Sequence, residues 1–116
     1  MEILAGELVA RVLKGEGVST VFGLCGGHVV PILHGLGAQG IRFIDTHHEQ
    51  ASVHMADAWA RVTGGLGVAL VTAGPGVANA VPGVITAQQA GVPLLLLAGR
   101  SSEGGQDMGE GQELDR

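Results

Sequence analysis

Residues 67–76 read Gly67-Val68-Ala69-Leu70-Val71-Thr72-Ala73-Gly74-Pro75-Gly76. The apolar run Gly67–Thr72, bounded by glycine, is what a strand covered on both faces requires. Gly74-Pro75-Gly76 then turns the chain into a helix expected from about Val77 to Gln89, with Pro82 making its start irregular. The same unit of strand, turn and helix recurs in both directions. Downstream, Val92–Ala98 (VPLLLLA) is a further apolar strand, and from Gly99 the chain is polar and Gly-rich. Upstream, a helix is expected from Glu49 to Val62, with Ala51, Met55, Ala58, Trp59 and Val62 as its apolar stripe and Thr63-Gly64-Gly65 as its close. Ile41–Asp45 (IRFID) alternates like a strand. Val18–Leu24 (VSTVFGL) is a β-prone run, Cys25-Gly26-Gly27 a strand-to-helix turn, and Val29–Leu36 a short helix with Pro31 in its first turn. Residues 2–14 form an amphipathic helix, with Leu4, Leu8 and Val12 at i, i+4, i+8 and Val9 and Leu13 beside them; Gly15 and Gly17 end it.

Helices and strands therefore alternate, which implies an α/β fold: an open parallel sheet covered by helices on both faces. Ligands in such sheets bind at the carboxyl ends of the strands. Those ends are Leu24–Gly27, Asp45–Glu49, Thr72–Gly76 and Gly99–Ser102, three of them Gly-rich or polar.

Composition narrows the function classes. A chain of 116 residues holds one domain, and 46% hydrophobic residues make it globular. The 21 glycines follow no Gly-X-Y period and fall mostly between apolar runs. A net charge of −5 without a basic cluster argues against nucleic acid as a partner. The lone Cys25 excludes an internal disulfide. No apolar stretch reaches the ~18 residues of a membrane helix, and no signal peptide opens the chain. The expectation is a cytoplasmic protein with no membrane partner.

Several familiar motifs fail. Gly74–Asn79 resembles GxGxxG but ends in Asn79, and no acidic residue follows about 20 positions on. Neither GxxxxGK[ST] nor GxSxG occurs. His48-Glu49 begins like HExxH, yet Ser52 stands where the second histidine belongs. Adjacent His47 and His48 lack a third ligand at a sensible spacing, so no metal site is expected within the chain. Glu49 opens a helix, where a carboxylate is favoured by the free N–H groups. On the residues alone it is either a first-turn acid or a functional group.

Four segments together resemble the N-terminal domain of the acetolactate synthase-like family of thiamine-diphosphate enzymes. They are Val21-Phe22-Gly23-Leu24-Cys25-Gly26-Gly27-His28; Asp45-Thr46-His47-His48-Glu49-Gln50 with Ala56–Gly64; Val71-Thr72-Ala73-Gly74-Pro75-Gly76-Val77-Ala78-Asn79; and Val92-Pro93-Leu94-Leu95 leading to Gly99-Arg100, Gly109 and Gln112-Glu113-Leu114-Asp115. The order is the family's and covers nearly the whole chain. The resemblance implies an incomplete pyrimidine-binding domain over residues 1–116, with thiamine diphosphate as cofactor. It gives Glu49 the catalytic role: its carboxyl hydrogen-bonds the pyrimidine ring nitrogen and so promotes loss of the thiazolium proton, and the resulting ylid attacks a 2-keto acid. Leu24, Ala51 and Val71 are candidate pocket lining. Gly26, Gly27, Thr72, Gly74, Pro75, Gly76 and Asn79 are the implied cofactor contacts, the glycines letting backbone lie against the flat ring. Cys25, His28 and Gln112 are the implied substrate contacts. Two departures stand out. Cys25 replaces the commoner proline and reads as a small packing residue rather than a reactive thiol. Gly111 replaces the phenylalanine before Gln112, removing an aromatic wall.

The family's GDG motif, which holds the diphosphate and Mg²⁺ on a separate domain, does not occur in this chain. The resemblance therefore implies a diphosphate-binding domain of the same or another chain as partner, Mg²⁺ ligands outside these residues, and a homo-oligomer. Acetolactate synthases also carry FAD, mostly through a middle domain. The ending at Asp115-Arg116, inside a family motif, favours a fragment over a natural split subunit. The implied reaction decarboxylates a small 2-keto acid such as pyruvate and adds the two-carbon unit to a second 2-keto acid. Rivals within the family act on acyl-CoA substrates, as 2-hydroxyacyl-CoA lyase or oxalyl-CoA decarboxylase. A rival of another class is a non-catalytic α/β module serving assembly or regulation. The Glu49–Val62 helix, with Met55 and Trp59, is a candidate either for an exposed apolar patch facing a second domain or for an ordinary core-facing stripe.

Overall fold

The computed structural model describes residues 4–100. Four helices alternate with four strands: α1 Ala5–Gly15, β1 Thr20–Gly23, α2 Val30–Ala38, β2 Arg42–Asp45, α3 Glu49–Thr63, β3 Gly67–Val71, α4 Pro75–Gln89 and β4 Leu94–Ala98. A 3-10 turn, Gly27–Val29, leads into α2. All strand pairings are parallel, in the order β2-β1-β3-β4. The expected α/β open sheet is present.

The strands alternate, and that alternation divides the core. Val21, Val68 and Leu70, with Phe43, Leu95 and Leu97, pack on one face with Ala10, Leu13, Val29 and Leu36 of the α1–α2 layer. Phe22, Ala69 and Val71, with Ile44, Leu94 and Leu96, pack on the other with Val53, Ala56 and Ala80 of the α3–α4 layer. The chain steps from β1 outward to β2, then returns to place β3 on the other side of β1. Right-handed crossovers then put helices on opposite faces, which is why both faces are covered.

Two helices are rotated from the sequence-based expectation. In α1, Leu4, Leu8 and Val12 are exposed, at 71%, 53% and 57%, while Gly6, Ala10 and Leu13 are buried. The cause is close packing on α2. A Cβ on Gly6 would collide with the Pro31 backbone, and one on Gly35 would stand 2.6 Å from the Gly6 carbonyl oxygen. The two helices meet through their smallest residues, so the larger leucines turn outward. In α3 the buried residues are Glu49, Ser52, Val53, Ala56, Asp57 and Ala60. Ala51, Met55, Ala58 and Val62 of the expected stripe face outward. Trp59 alone of that set packs inward, edge-on to Phe22 with centroids 5.8 Å apart. The two readings of this helix thus divide: Met55 is exposed and Trp59 lines the core.

Element ends shift by small amounts. Pro75 rather than Val77 opens α4, because Gly74 adopts φ 57° and turns the chain directly into the helix. The helix runs through Pro82 to Gln89, and the Thr86 hydroxyl donates to the Pro82 carbonyl at 3.0 Å. Gly64, left-handed at φ 72°, caps α3 as expected. Among the described residues, no helix is long and apolar enough to cross a membrane.

Candidate functional site

The strand order reverses between β1 and β3, and their carboxyl ends open the crevice where α/β sheets bind ligands. Three loops meet there: the β1 exit Leu24–Gly27, the β2 exit Thr46–His48, and the β3 exit Thr72–Gly74. Glu49, first residue of α3, is 9% exposed. His48 caps the helix; its Nδ1 accepts the Gln50 backbone N–H at 3.1 Å. The orphan donors of the first turn favour a carboxylate at this position. The Asn79 amide of α4 donates to Glu49 Oε2 at 3.2 Å. Among the described residues, Glu49 Oε1 has no hydrogen-bond partner. On a residue this little exposed, a carboxyl oxygen without a partner calls for one from outside these residues.

The space beside Oε1 is kept open by Gly76. A Cβ there would lie 3.6 Å from Oε1 and 3.1 Å from the Thr72 methyl. Thr72 is itself buried and joins the two glycine turns. On its other side, a Gly26 Cβ would strike the Thr72 hydroxyl at 2.5 Å. Gly26 is therefore required by Thr72 packing alone, whatever binds nearby. Gly27 is exposed, and a Cβ added to it would meet nothing within 4 Å. Half-buried His28 lies with Nδ1 3.4 Å from Thr72 Oγ1, and a Cβ on Gly99 would crowd it at 2.7 Å.

The fold thus brings together Glu49, Asn79, Thr72, Gly74, Pro75, Gly76, Gly26, Gly27 and His28. Two other expectations need correction. Cys25 is exposed rather than packed, because the β1 exit turns it outward. Ala51 is exposed, whereas Leu24 is half-buried and Val71 is buried in the core on the α3–α4 side. Gln112, with Gly109 and Gly111, lies outside the described residues. Among the described residues, no cluster of three or more His, Cys, Asp or Glu forms a metal site.

Two features were not read from the sequence. Thr46 and Ser52, three residues before and after Glu49, form a buried hydroxyl pair. Asp57, 5% exposed, is held by Arg61 Nε at 2.7 Å and Nη2 at 3.3 Å. The hydrogen bond to Asp57, then its charge, raises the Arg61 guanidinium above its ordinary value. The i, i+4 spacing of Asp57 and Arg61 was the available signal.

The family model described as "Thiamine pyrophosphate enzyme, N-terminal TPP binding domain" matches residues 3–116. The acetolactate synthase large subunit IlvG of Mycobacterium tuberculosis is 47% identical over 111 residues, covering 96% of this chain and 20% of that protein. The 2-hydroxyacyl-CoA lyase 2 of Danio rerio is 50% identical over 111 residues, again 96% of this chain and 18% of the relative. Its human counterpart is 49% identical over the same span, 18% of its length. The chain spans about a fifth of the length of the curated relatives it matches.

Proposed function

The chain belongs to the thiamine pyrophosphate enzyme family, as an N-terminal TPP binding domain, and from that premise we propose that it is the pyrimidine-binding part of an acetolactate synthase-like enzyme in which Glu49 activates the cofactor. The observation that carries this reading is the carboxyl of Glu49, a residue only 9% exposed: its Oε1 is unpartnered among the described residues and lies where a side chain on Gly76 would crowd it. With the proton on Oε1, the carboxyl would donate to an aromatic ring nitrogen, and a flat ring fits a cradle without a Cβ.

Each residue has a defined task. Asn79 fixes Oε2, leaving Oε1 to share a proton with the pyrimidine nitrogen. Thr72 sets the separation of the two glycine turns, and Gly74 and Pro75 start α4 so that Gly76 lies against the site. The roles proposed for His28, Cys25 and Gln112 are substrate contacts; His28 lies against Thr72 and Cys25 is exposed, which is compatible with that role. Thiamine diphosphate supplies, when bound, the electron sink for cleaving a bond to a carbonyl carbon. A diphosphate-binding domain, from the same polypeptide or a second subunit, holds the diphosphate and Mg²⁺ and completes the site. In an acetolactate synthase FAD belongs to further parts of the enzyme.

The reaction proposed is decarboxylation of a 2-keto acid such as pyruvate, followed by carboligation. A second reading, cleavage of a 2-hydroxyacyl-CoA, is favoured by relatives bearing that name at 49% and 50% identity, against 47% for the synthase. Supplying pyruvate and a 2-hydroxyacyl-CoA separately to the full-length enzyme distinguishes the two by product. The role of Glu49 is tested by proton exchange at the thiazolium carbon of bound cofactor, without substrate. We expect Glu49→Gln to slow exchange by about 100-fold or more; exchange at the wild-type rate would leave Glu49 a helix-capping acid.

A further inference from the structure

Three residues on either side of Glu49, Thr46 and Ser52 form the buried hydroxyl pair, which the proposed chemistry leaves unused. Thr46 Oγ1 is hydrogen-bonded to Ser52 Oγ, and it also lies 3.3 Å from the Gly23 carbonyl and 3.2 Å from the His48 carbonyl. Thr46 is 7% exposed and Ser52 is fully buried. The two hydroxyls carry two protons. If Thr46 donated to Ser52, the Ser52 proton would have no acceptor among the described hydrogen bonds. If Ser52 donates to Thr46, the Thr46 proton goes to Gly23 or His48 and both groups are satisfied. The second arrangement is therefore the stable one.

This network closes the segment 46–52 with Glu49 at its centre. One end is tied to β1, where the Thr46 N–H also donates to the Gly23 carbonyl at 2.9 Å. The other end is the first turn of α3, where the Ser52 N–H donates to the His48 carbonyl at 3.2 Å. The first turn of α3 is thus held in register with the strand that delivers Gly26 and Gly27. We propose that Thr46 and Ser52 are positioning residues for Glu49: their hydroxyl pair aims its backbone while Asn79 fixes its carboxyl. The proposal rests on the reading of Glu49 above. Replacing both members of a buried hydrogen-bonded pair with apolar groups of similar shape is nearly neutral for stability. The pair therefore acts on the placement of Glu49 more than on folding.

The test uses the full-length enzyme and the variants Thr46→Val, Ser52→Ala, their double, Thr46→Ser and Glu49→Gln. Without cofactor, amide hydrogen exchange is expected to rise in residues 46–53 of the double variant and stay unchanged elsewhere. With thiamine diphosphate and Mg²⁺, thiazolium proton exchange is expected to slow by about tenfold, with a displaced pH profile and a cofactor affinity within about threefold of wild type. Thr46→Ser, which keeps the hydroxyl, restores the rate. Unchanged thiazolium exchange in the double variant, alongside slow exchange in Glu49→Gln, overturns this proposal alone. A rate that falls only in parallel with the folded fraction also overturns it. Wild-type exchange in Glu49→Gln overturns the reading of Glu49 and this proposal with it.

Discussion

Gly76→Ala separates folding from cofactor binding. Gly76 is a buried residue in the first turn of α4 and its φ is negative, so alanine is allowed there. Alanine in a helix gains at most about 1 kcal/mol over glycine. Against that, the new methyl meets the Thr72 methyl at 3.1 Å, a mild overpacking that costs about 1 kcal/mol, the low end of such insertions. The two effects nearly cancel, so the thermal midpoint should move by no more than about 5 °C. Binding is affected differently. The methyl lies 3.6 Å from Glu49 Oε1, in the gap assigned to the ring. Displacing a reacting group by about 1 Å costs on the order of 100-fold in rate. Calorimetry with thiamine diphosphate and Mg²⁺ on the full-length enzyme should show weakened binding, and thiazolium exchange should fall about 100-fold. A Gly76→Ala enzyme that binds and exchanges like wild type would refute the placement of the ring beside Gly76.

Other substitutions report on the scaffold. Gly6→Ala drives a methyl into the Pro31 backbone, and should cost about 1–3 kcal/mol in chemical denaturation; a neutral result would contradict the close α1–α2 packing. His48→Ala removes the α3 cap and should cost about 0.5–2 kcal/mol, with His48→Asn recovering most of it. Arg61→Gln should lower the melting temperature by leaving buried Asp57 without its partner. Because the Arg61 pKa is raised, its contribution is complete below the ordinary guanidinium value and is lost only as pH rises past the folded-state value. The Arg61 term of that loss should therefore be the same at about pH 6 and about pH 9.

The sheet and the strand exits that form the candidate site are legible because both are written locally. The apolar run Gly67–Thr72 and the turn Gly74-Pro75-Gly76 identify a buried strand and its exit without reference to the rest of the chain. The alternation of elements places Glu49 and Asn79 at strand exits, but not against each other. Their hydrogen bond depends on how α3 and α4 pack, which no single helix encodes. Helix faces were misread for the same reason. The periodicity of Leu4, Leu8 and Val12 marks an apolar stripe, yet Gly6 and Gly35 allow a closer contact on another face, and that contact prevails. Trp59 packs inward while Met55 faces outward because Ala56 and Ala60 set which side of α3 approaches the sheet. The buried hydroxyls Thr46 and Ser52 are hidden from a sequence reading because Thr46 is satisfied by the Gly23 carbonyl of β1, a contact that only the fold supplies, whereas the Asp57–Arg61 pair is local, at i, i+4 on one helix.

The pairing of Glu49 with the cofactor is decided by a structure of the full-length enzyme with thiamine diphosphate bound. Glu49 Oε1 is expected within hydrogen-bonding distance, about 2.6–3.2 Å, of a pyrimidine ring nitrogen, with Asn79 still on Oε2 and the ring against Gly76. A cofactor bound with its pyrimidine away from Glu49, or an Oε1 satisfied by protein alone, would contradict it.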